Sequence, residues 1–164
     1  MSIVCCRICD GKIEIASDSI SVRHFTQGKG SNIKDVKLVK INDMIIGTVG
    51  TAEEGNLFFQ YCSTRKPRAA NEQDIMVFLA EFSGWKKKLI DNNKVDNSYI
   101  MVMDKKAFAI DGFLVQEILQ YEAIGAGMDY ALAAMYLGHD VKKAVEVACE
   151  LSVWCEKPIR FFET

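Results

Sequence analysis

The chain has 164 residues, 49% of them apolar, and 20 lysines and arginines against 22 aspartates and glutamates give a formal charge of −2. Such apolar content argues against disorder and suits one domain, 1–164, with one well-filled core. The near balance of charge supplies no basic surplus for nucleic acid or an anionic membrane surface. Apolar runs such as 44–46 fall far short of the roughly 20 residues that cross a bilayer.

The opening Met1-Ser2-Ile3-Val4-Cys5-Cys6-Arg7 lacks a basic segment followed by an apolar one, so no signal peptide is expected and a cytoplasmic location is. The six cysteines, at 5, 6, 9, 62, 149 and 155, should then stay reduced. Cys5-Cys6-x-x-Cys9 has a metal-like look. On a strand, however, Cys5 and Cys6 point to opposite faces, and Cys5 and Cys9 lie roughly 13 Å apart at ~3.3 Å per residue. Zinc needs converging ligands, and the only histidines are His24 and His139. Buried thiols acting as small hydrophobes are the expectation, with no metal.

Residues 2–9 are rich in β-branched and apolar types and end at Asp10-Gly11, a strong hairpin signal. The second arm, 12–18, alternates polar and apolar as a half-buried strand does. Polar residues 19–32, with Gly28 and Gly30, read as a loop. Strands follow at 36–41 and 44–49, turning at Asn42-Asp43. Residues 52–61 have helical spacing, with Leu57, Phe58 and Tyr61 on one stripe, and Thr51-x-x-Glu54 suggests a capping box. A second helix is predicted over 71–90, with apolar residues at 75, 78, 79, 82, 85 and 89.

Residues 98–103 and 107–110 flank Asp104-Lys105-Lys106 as another hairpin, and 121–124 forms a further strand. Helices are predicted over 127–137 and 140–154, the first ended by Gly138 and the second capped by Asp140. A last strand, 157–162, closes the chain. Blocks of strands separated by helix pairs predict an α+β fold, with helix pairs covering two sheets on their outer faces. Leu57, Phe58, Trp85 and Trp154 are read as core by default, with an interface as the alternative.

Three blocks carry a resemblance. The first is Ser2-Ile3-Val4, Asp10-Gly11 and Ile15-Ala16-Ser17-Asp18-Ser19. The second runs from Lys37-Leu38-Val39-Lys40 through Gly47-Thr48-Val49-Gly50-Thr51-Ala52, and the third from Ala123-Ile124-Gly125-Ala126-Gly127 to Tyr130-Ala131. Together they span nearly the whole chain, and it resembles the proteasome β-subunit/HslV peptidase family. The resemblance implies a four-layer αββα sandwich of two antiparallel sheets, assembly into a ring homo-oligomer, no cofactor, and unfolded polypeptide as substrate. It also implies an ATP-dependent unfoldase as partner.

In that family the first residue of the mature chain attacks the scissile carbonyl, and its own α-amine, with a reference pKa near about 8, serves as base. A lysine cation lowers the amine's pKa, a carboxylate orients the lysine, and a glycine-rich turn supplies oxyanion N–H donors. The family's spacing between nucleophile and carboxylate, sixteen residues, separates Ser2 from Asp18 here, and Gly11 falls nine after Ser2 as in HslV. Removal of Met1 would make Ser2 the nucleophile, with Asp18 as the carboxylate. Counting from Asp18 points to Lys34 as the lysine, whereas the strand pattern points to Lys37, the preferred reading because loop lengths vary more than strands. Gly50 is the candidate oxyanion donor, beside Thr51.

Three features differ from the family pattern: the nucleophile is serine rather than the usual threonine, the serine at the helix entry is replaced by Ala126, and the acidic residue near the C-terminus of proteasome subunits has no clear match in Cys155-Glu156-Lys157. The alternatives are a ring-forming homologue without catalysis, an N-terminal-nucleophile hydrolase of small amides, and thiol chemistry at Cys5 or Cys6.

Overall fold

The computed structural model describes residues 1–24, 26–28 and 36–164. Strands β1 (Ile3–Cys9) and β2 (Lys12–Ser17) form the antiparallel hairpin expected at Asp10-Gly11. The described part of the segment read as loop contains a small hairpin, β3 (Ser21–Arg23) with β4 (Thr26–Gly28), Ser21 opposite Gly28, while 29–32 with Gly30 lie outside the described residues. Its main-chain pairing needs no buried side-chain face, so it leaves no apolar alternation to read. Then β5 (Leu38–Ile41) and β6 (Met44–Val49) pair across Asn42-Asp43.

Helix α1 (Ala52–Thr64) is capped by the Thr51 hydroxyl, which accepts the Glu54 N–H at 3.3 Å. Only this half of the capping box forms, because the Glu54 carboxylate turns inward to other donors. Asn71 caps α2 (Glu72–Ile90), whose Ile75, Phe78, Leu79 and Phe82 are buried as the spacing predicts, while Leu89 is exposed.

Strands β7 (Ser98–Met103), β8 (Lys106–Asp111) and β9 (Leu114–Ile118) form a meander. The sequence reading missed β9, an edge strand with Leu114 exposed and only Ile118 fully buried, so its alternation is weak. β10 (Tyr121–Gly125) leads to α3 (Met128–Tyr136) and α4 (Val141–Leu151). Asp140 accepts the Lys143 N–H at 2.8 Å, as expected of an N-cap. α4 ends at Leu151 rather than 154, since the chain then turns to aim the Trp154 carbonyl at the Ser2 N–H, 3.0 Å away. The last strand, β11 (Arg160–Glu163), starts after Pro158, whose ring nitrogen has no proton for a ladder.

Besides the β3-β4 ribbon, two larger antiparallel sheets result among the described residues, ordered β10-β1-β2-β11 and β5-β6-β7-β8-β9. Strand alternation sorts their side chains into three apolar layers. Val4, Cys6, Ile13 and Ile15 meet Leu38, Ile45, Ile100 and Val102 between the sheets. Ile3, Cys5, Ala16 and Ala123 face α3 and α4, against Ala131, Met135, Val141 and Ala148. On the far side, Met44, Ile46, Tyr99, Met101 and Phe108 face α1 and α2, against Phe58, Tyr61, Phe78 and Phe82. The stack is helix pair, sheet, sheet, helix pair: the αββα sandwich expected.

Cys5 and Cys6 thus lie in different layers, as their adjacency on a strand predicts. Phe58 is core, Leu57 and Trp85 are half-buried against it, and Trp154 is exposed, contrary to the default reading. The sheets approach closely at Gly47, where a Cβ would fall 2.5 Å from Val4 Cγ1. Among the described residues no helix is long and apolar enough to cross a membrane.

Candidate active site

The start of β1, the end of β2, the approach to β5 and the turn between β6 and α1 converge at one end of the sandwich. Ser2 precedes β1 and is almost fully buried. Its N–H donates to Trp154 O at 3.0 Å, and its carbonyl accepts the Gly127 N–H at 3.3 Å. Its φ is +118°, in the region that L side chains rarely adopt. Gly125, at φ +101°, passes directly over this serine: a Cβ there would fall 2.4 Å from its carbonyl oxygen.

Asp18 follows β2 and has no exposed surface. Its Oδ1 accepts the Ile3 N–H at 3.0 Å and the Lys37 ammonium at 3.1 Å. Its Oδ2 accepts the N–H groups of Ile20 at 3.0 Å and Glu156 at 3.2 Å. Four donors on one buried carboxylate leave its orientation little freedom. The Asp18 N–H also donates to Ile3 O at 3.2 Å, so this residue grips the chain next to Ser2 with both side chain and backbone.

Lys37 enters from the residue before β5, its side chain only 11% exposed. Of the two lysines the sequence left open, Lys37 meets Asp18, while Lys34 lies outside the described residues.

A pocket of about 90 Å³ opens here, lined by Ser2, Lys37, Thr48, Gly50, Thr51 and Met1, with Ile20, Val22 and Phe59 among its apolar walls. Gly50 stands at φ +138°, and a Cβ on it would overlap the Asn97 side chain, so both conformation and space call for glycine. The neighbouring Thr51 N–H is committed to Asn97 Oδ1 at 2.7 Å, which removes it as an oxyanion donor and leaves Gly50 as the turn's candidate. The geometry therefore places Ser2, Lys37 and Gly50 on one pocket with Asp18 buried behind it.

No protein-family model and no curated protein matches the sequence. Solved structures do. Thiobacillus denitrificans BPH in complex with epoxomicin has a TM-score of 0.89 at 20% identity, covering 99% of this chain and 97% of that one. A second structure of Thiobacillus denitrificans BPH gives 0.88 at 19% identity with the same coverage. Eukaryotic HslV from Trypanosoma brucei gives 0.67 at 20%, covering 98% of each chain. The chain has the fold of BPH and HslV. The fold that the three sequence blocks implied is therefore present over nearly the full length, although under a quarter of the residues are shared.

Sequence reasoning missed several parts of this candidate site. Glu156 and Trp154 contribute only backbone groups, which no side-chain motif marks. Asn97, just before β7, binds the Gly50–Thr51 turn across 46 positions of sequence. Ala126, where the family resemblance implies a serine, is exposed at the end of β10.

Proposed function

We propose that this chain is an N-terminal-nucleophile endopeptidase of the HslV/proteasome type, working after Met1 is removed. The freed Ser2 α-amine takes the proton of the Ser2 hydroxyl as Oγ attacks the scissile carbonyl. The Gly50 N–H stabilises the oxyanion. The ammonium so formed returns its proton to the departing amine, leaving an ester on Ser2 that water hydrolyses. Lys37 supplies a cation beside the reacting groups, and Asp18 orients it.

One observation carries the reading: a fully buried carboxylate ties the Lys37 ammonium to the amide next to Ser2, at the pocket that Ser2 and Gly50 share. The likeness to a BPH that holds epoxomicin supports a pocket of this type. By the same resemblance the chain assembles into a homo-oligomeric ring in the cytoplasm, cuts unfolded polypeptide, and is fed by an ATP-dependent unfoldase.

A second reading is a ring-forming homologue without catalysis. It is favoured by Ala126 in place of a serine and by the Ser2 nitrogen, here an amide to Met1 that donates to Trp154 O.

Intact mass separates the two, since the enzyme must lose Met1. A peptidyl epoxyketone, the class of epoxomicin, should then add to the wild-type chain and not to Ser2→Ala. Labelling or peptide hydrolysis that persists unchanged in Ser2→Ala would exclude the mechanism. Native mass spectrometry tests the ring.

A further inference from the structure

Asn97 is 1% exposed, and its side-chain amide binds both backbone groups of one neighbour and the hydroxyl of a second. Oδ1 accepts the Thr51 N–H at 2.7 Å, and Nδ2 donates to Thr51 O at 2.9 Å and to Thr48 Oγ1 at 3.2 Å. A backbone N–H only donates and a carbonyl only accepts, so these partners set which amide atom is which. The two contacts clasp the Thr51 residue at both ends of its backbone. Gly50, just before it, has no Cβ and packs against the same amide.

Asn97 is itself anchored from behind. Its N–H donates to Glu54 Oε1 at 2.9 Å, and the other Glu54 oxygen accepts Lys86 Nζ at 2.6 Å. Lys86, on α2, is buried and also donates to Lys94 O. A chain of polar contacts thus runs from α2 through Glu54 and Asn97 to the pocket turn, and Thr48, Gly50 and Thr51 all line the pocket.

We propose that Asn97 is a positioning residue: its amide clasps Thr51 and thereby sets the direction in which the Gly50 N–H faces the pocket. The role of that N–H in the reaction rests on the peptidase reading above; the clasp does not. By holding the Thr51 N–H itself, Asn97 also removes that group as a competing donor. Displacement of an oxyanion donor by about 1 Å costs on the order of 100-fold in rate, so a group that never touches substrate acts on the chemical step.

The test uses the full 15N-labelled chain as wild type, Asn97→Ala and Asn97→Asp, each checked for folding by its thermal transition. In the wild type the Thr51 amide should exchange with solvent slowly. In Asn97→Ala it should exchange about tenfold faster, the effect of one lost hydrogen bond. Asn97→Asp keeps an acceptor for the Thr51 N–H and loses the donor to Thr51 O, so it should retain most of the protection. In peptide hydrolysis, Asn97→Ala should lower kcat about 10- to 100-fold with KM changed less than about twofold.

A Thr51 amide that exchanges freely in the wild type, or equally in wild type and Asn97→Ala, overturns the proposal. So does a loss expressed in KM alone. A wild type that does not cleave peptides sinks the peptidase reading instead, and the exchange measurement still decides whether the clasp holds the turn.

Discussion

The Lys37 ammonium reaches Asp18 Oδ1 at 3.1 Å, on the same oxygen that accepts the Ile3 N–H at 3.0 Å. One atom therefore joins the approach to β5 to the start of β1, and the two partners are not equal. Asp18→Asn puts an NH2 group against two of four donors, whichever way the amide turns. Lys37→Met leaves the carboxylate with three backbone N–H groups. Asp18→Asn should cost about 3–5 kcal/mol and Lys37→Met about 1–3 kcal/mol, read by urea unfolding. Equal losses would contradict this ranking. Both variants should also lose Ser2-dependent hydrolysis if the proposed mechanism operates.

Glu54 governs a pH dependence. Burial pushes its carboxyl up, but hydrogen bonds from Lys86, from the Asn97 and Asp96 N–H groups and from the Tyr99 hydroxyl outweigh burial and hold it below its ordinary value. A carboxyl depressed in the folded state contributes stability above its unfolded pKa of about 4.3, and that stability is lost as pH falls through the folded value. Stability should therefore decline below about pH 4.3, and Glu54→Gln should be less stable at neutral pH with a shallower acid slope. Urea midpoints between pH 3 and 7, roughly the carboxylate range, check this. An unchanged slope would remove Glu54 from the cause.

The thiols should prove inert. Burial pushes Cys6 up to about 12, with the nearby Glu14 charge adding to it, and burial likewise raises Cys149 to about 12 and Cys155 to about 11. Cys5 is raised well above its ordinary value for the same reason, with Cys6 and Asp140 contributing. Alkylation of the native chain at pH 8, about where a free thiol begins to ionise, should modify the half-buried Cys9 first and spare Cys5 and Cys6. Peptide mapping reads the order, and fast modification of Cys5 or Cys6 would revive the thiol alternative.

Gly47 and Gly125 separate stability from site geometry. Gly47→Ala presses a methyl into Val4 between the sheets, away from strained backbone, and should cost about 1–3 kcal/mol. Gly125→Ala meets the Ser2 carbonyl at a positive φ and should cost at least as much. It should also change epoxyketone labelling of Ser2 beyond what instability explains, whereas Gly47→Ala should not. Labelling rates compared below each variant's melting temperature decide it.

The fold was legible where side chains alternate or recur at helical spacing against a buried layer. β1 with β2, β5 with β6, and α2 all fell where periodicity placed them, because each buries a face. β9 and the β3–β4 hairpin bury too little for alternation to reveal them, and the end of α4 is set by a tertiary contact, Ser2 N–H to Trp154 O. At the site, Ser2, Asp18, Lys37 and Gly50 came from a family register rather than from periodicity. Three of the four contacts on the Asp18 carboxylate come from backbone N–H groups of residues as remote as Glu156, and backbone groups carry no sequence mark. Glu54 looked like half of a capping box because spacing cannot tell an inward carboxylate from one that folds back.

The φ of +118° at Ser2 is a torsion about the N–Cα bond, and its first atom belongs to the Met1 carbonyl. An aminopeptidase that cut the Met1–Ser2 bond would not relax that angle but delete it, since a terminal amine has only hydrogens to place. The strain of such a backbone, of order 1–3 kcal/mol, would vanish with the methionine. The trimmed chain should then melt higher than the untrimmed one, a gain in stability from losing a residue.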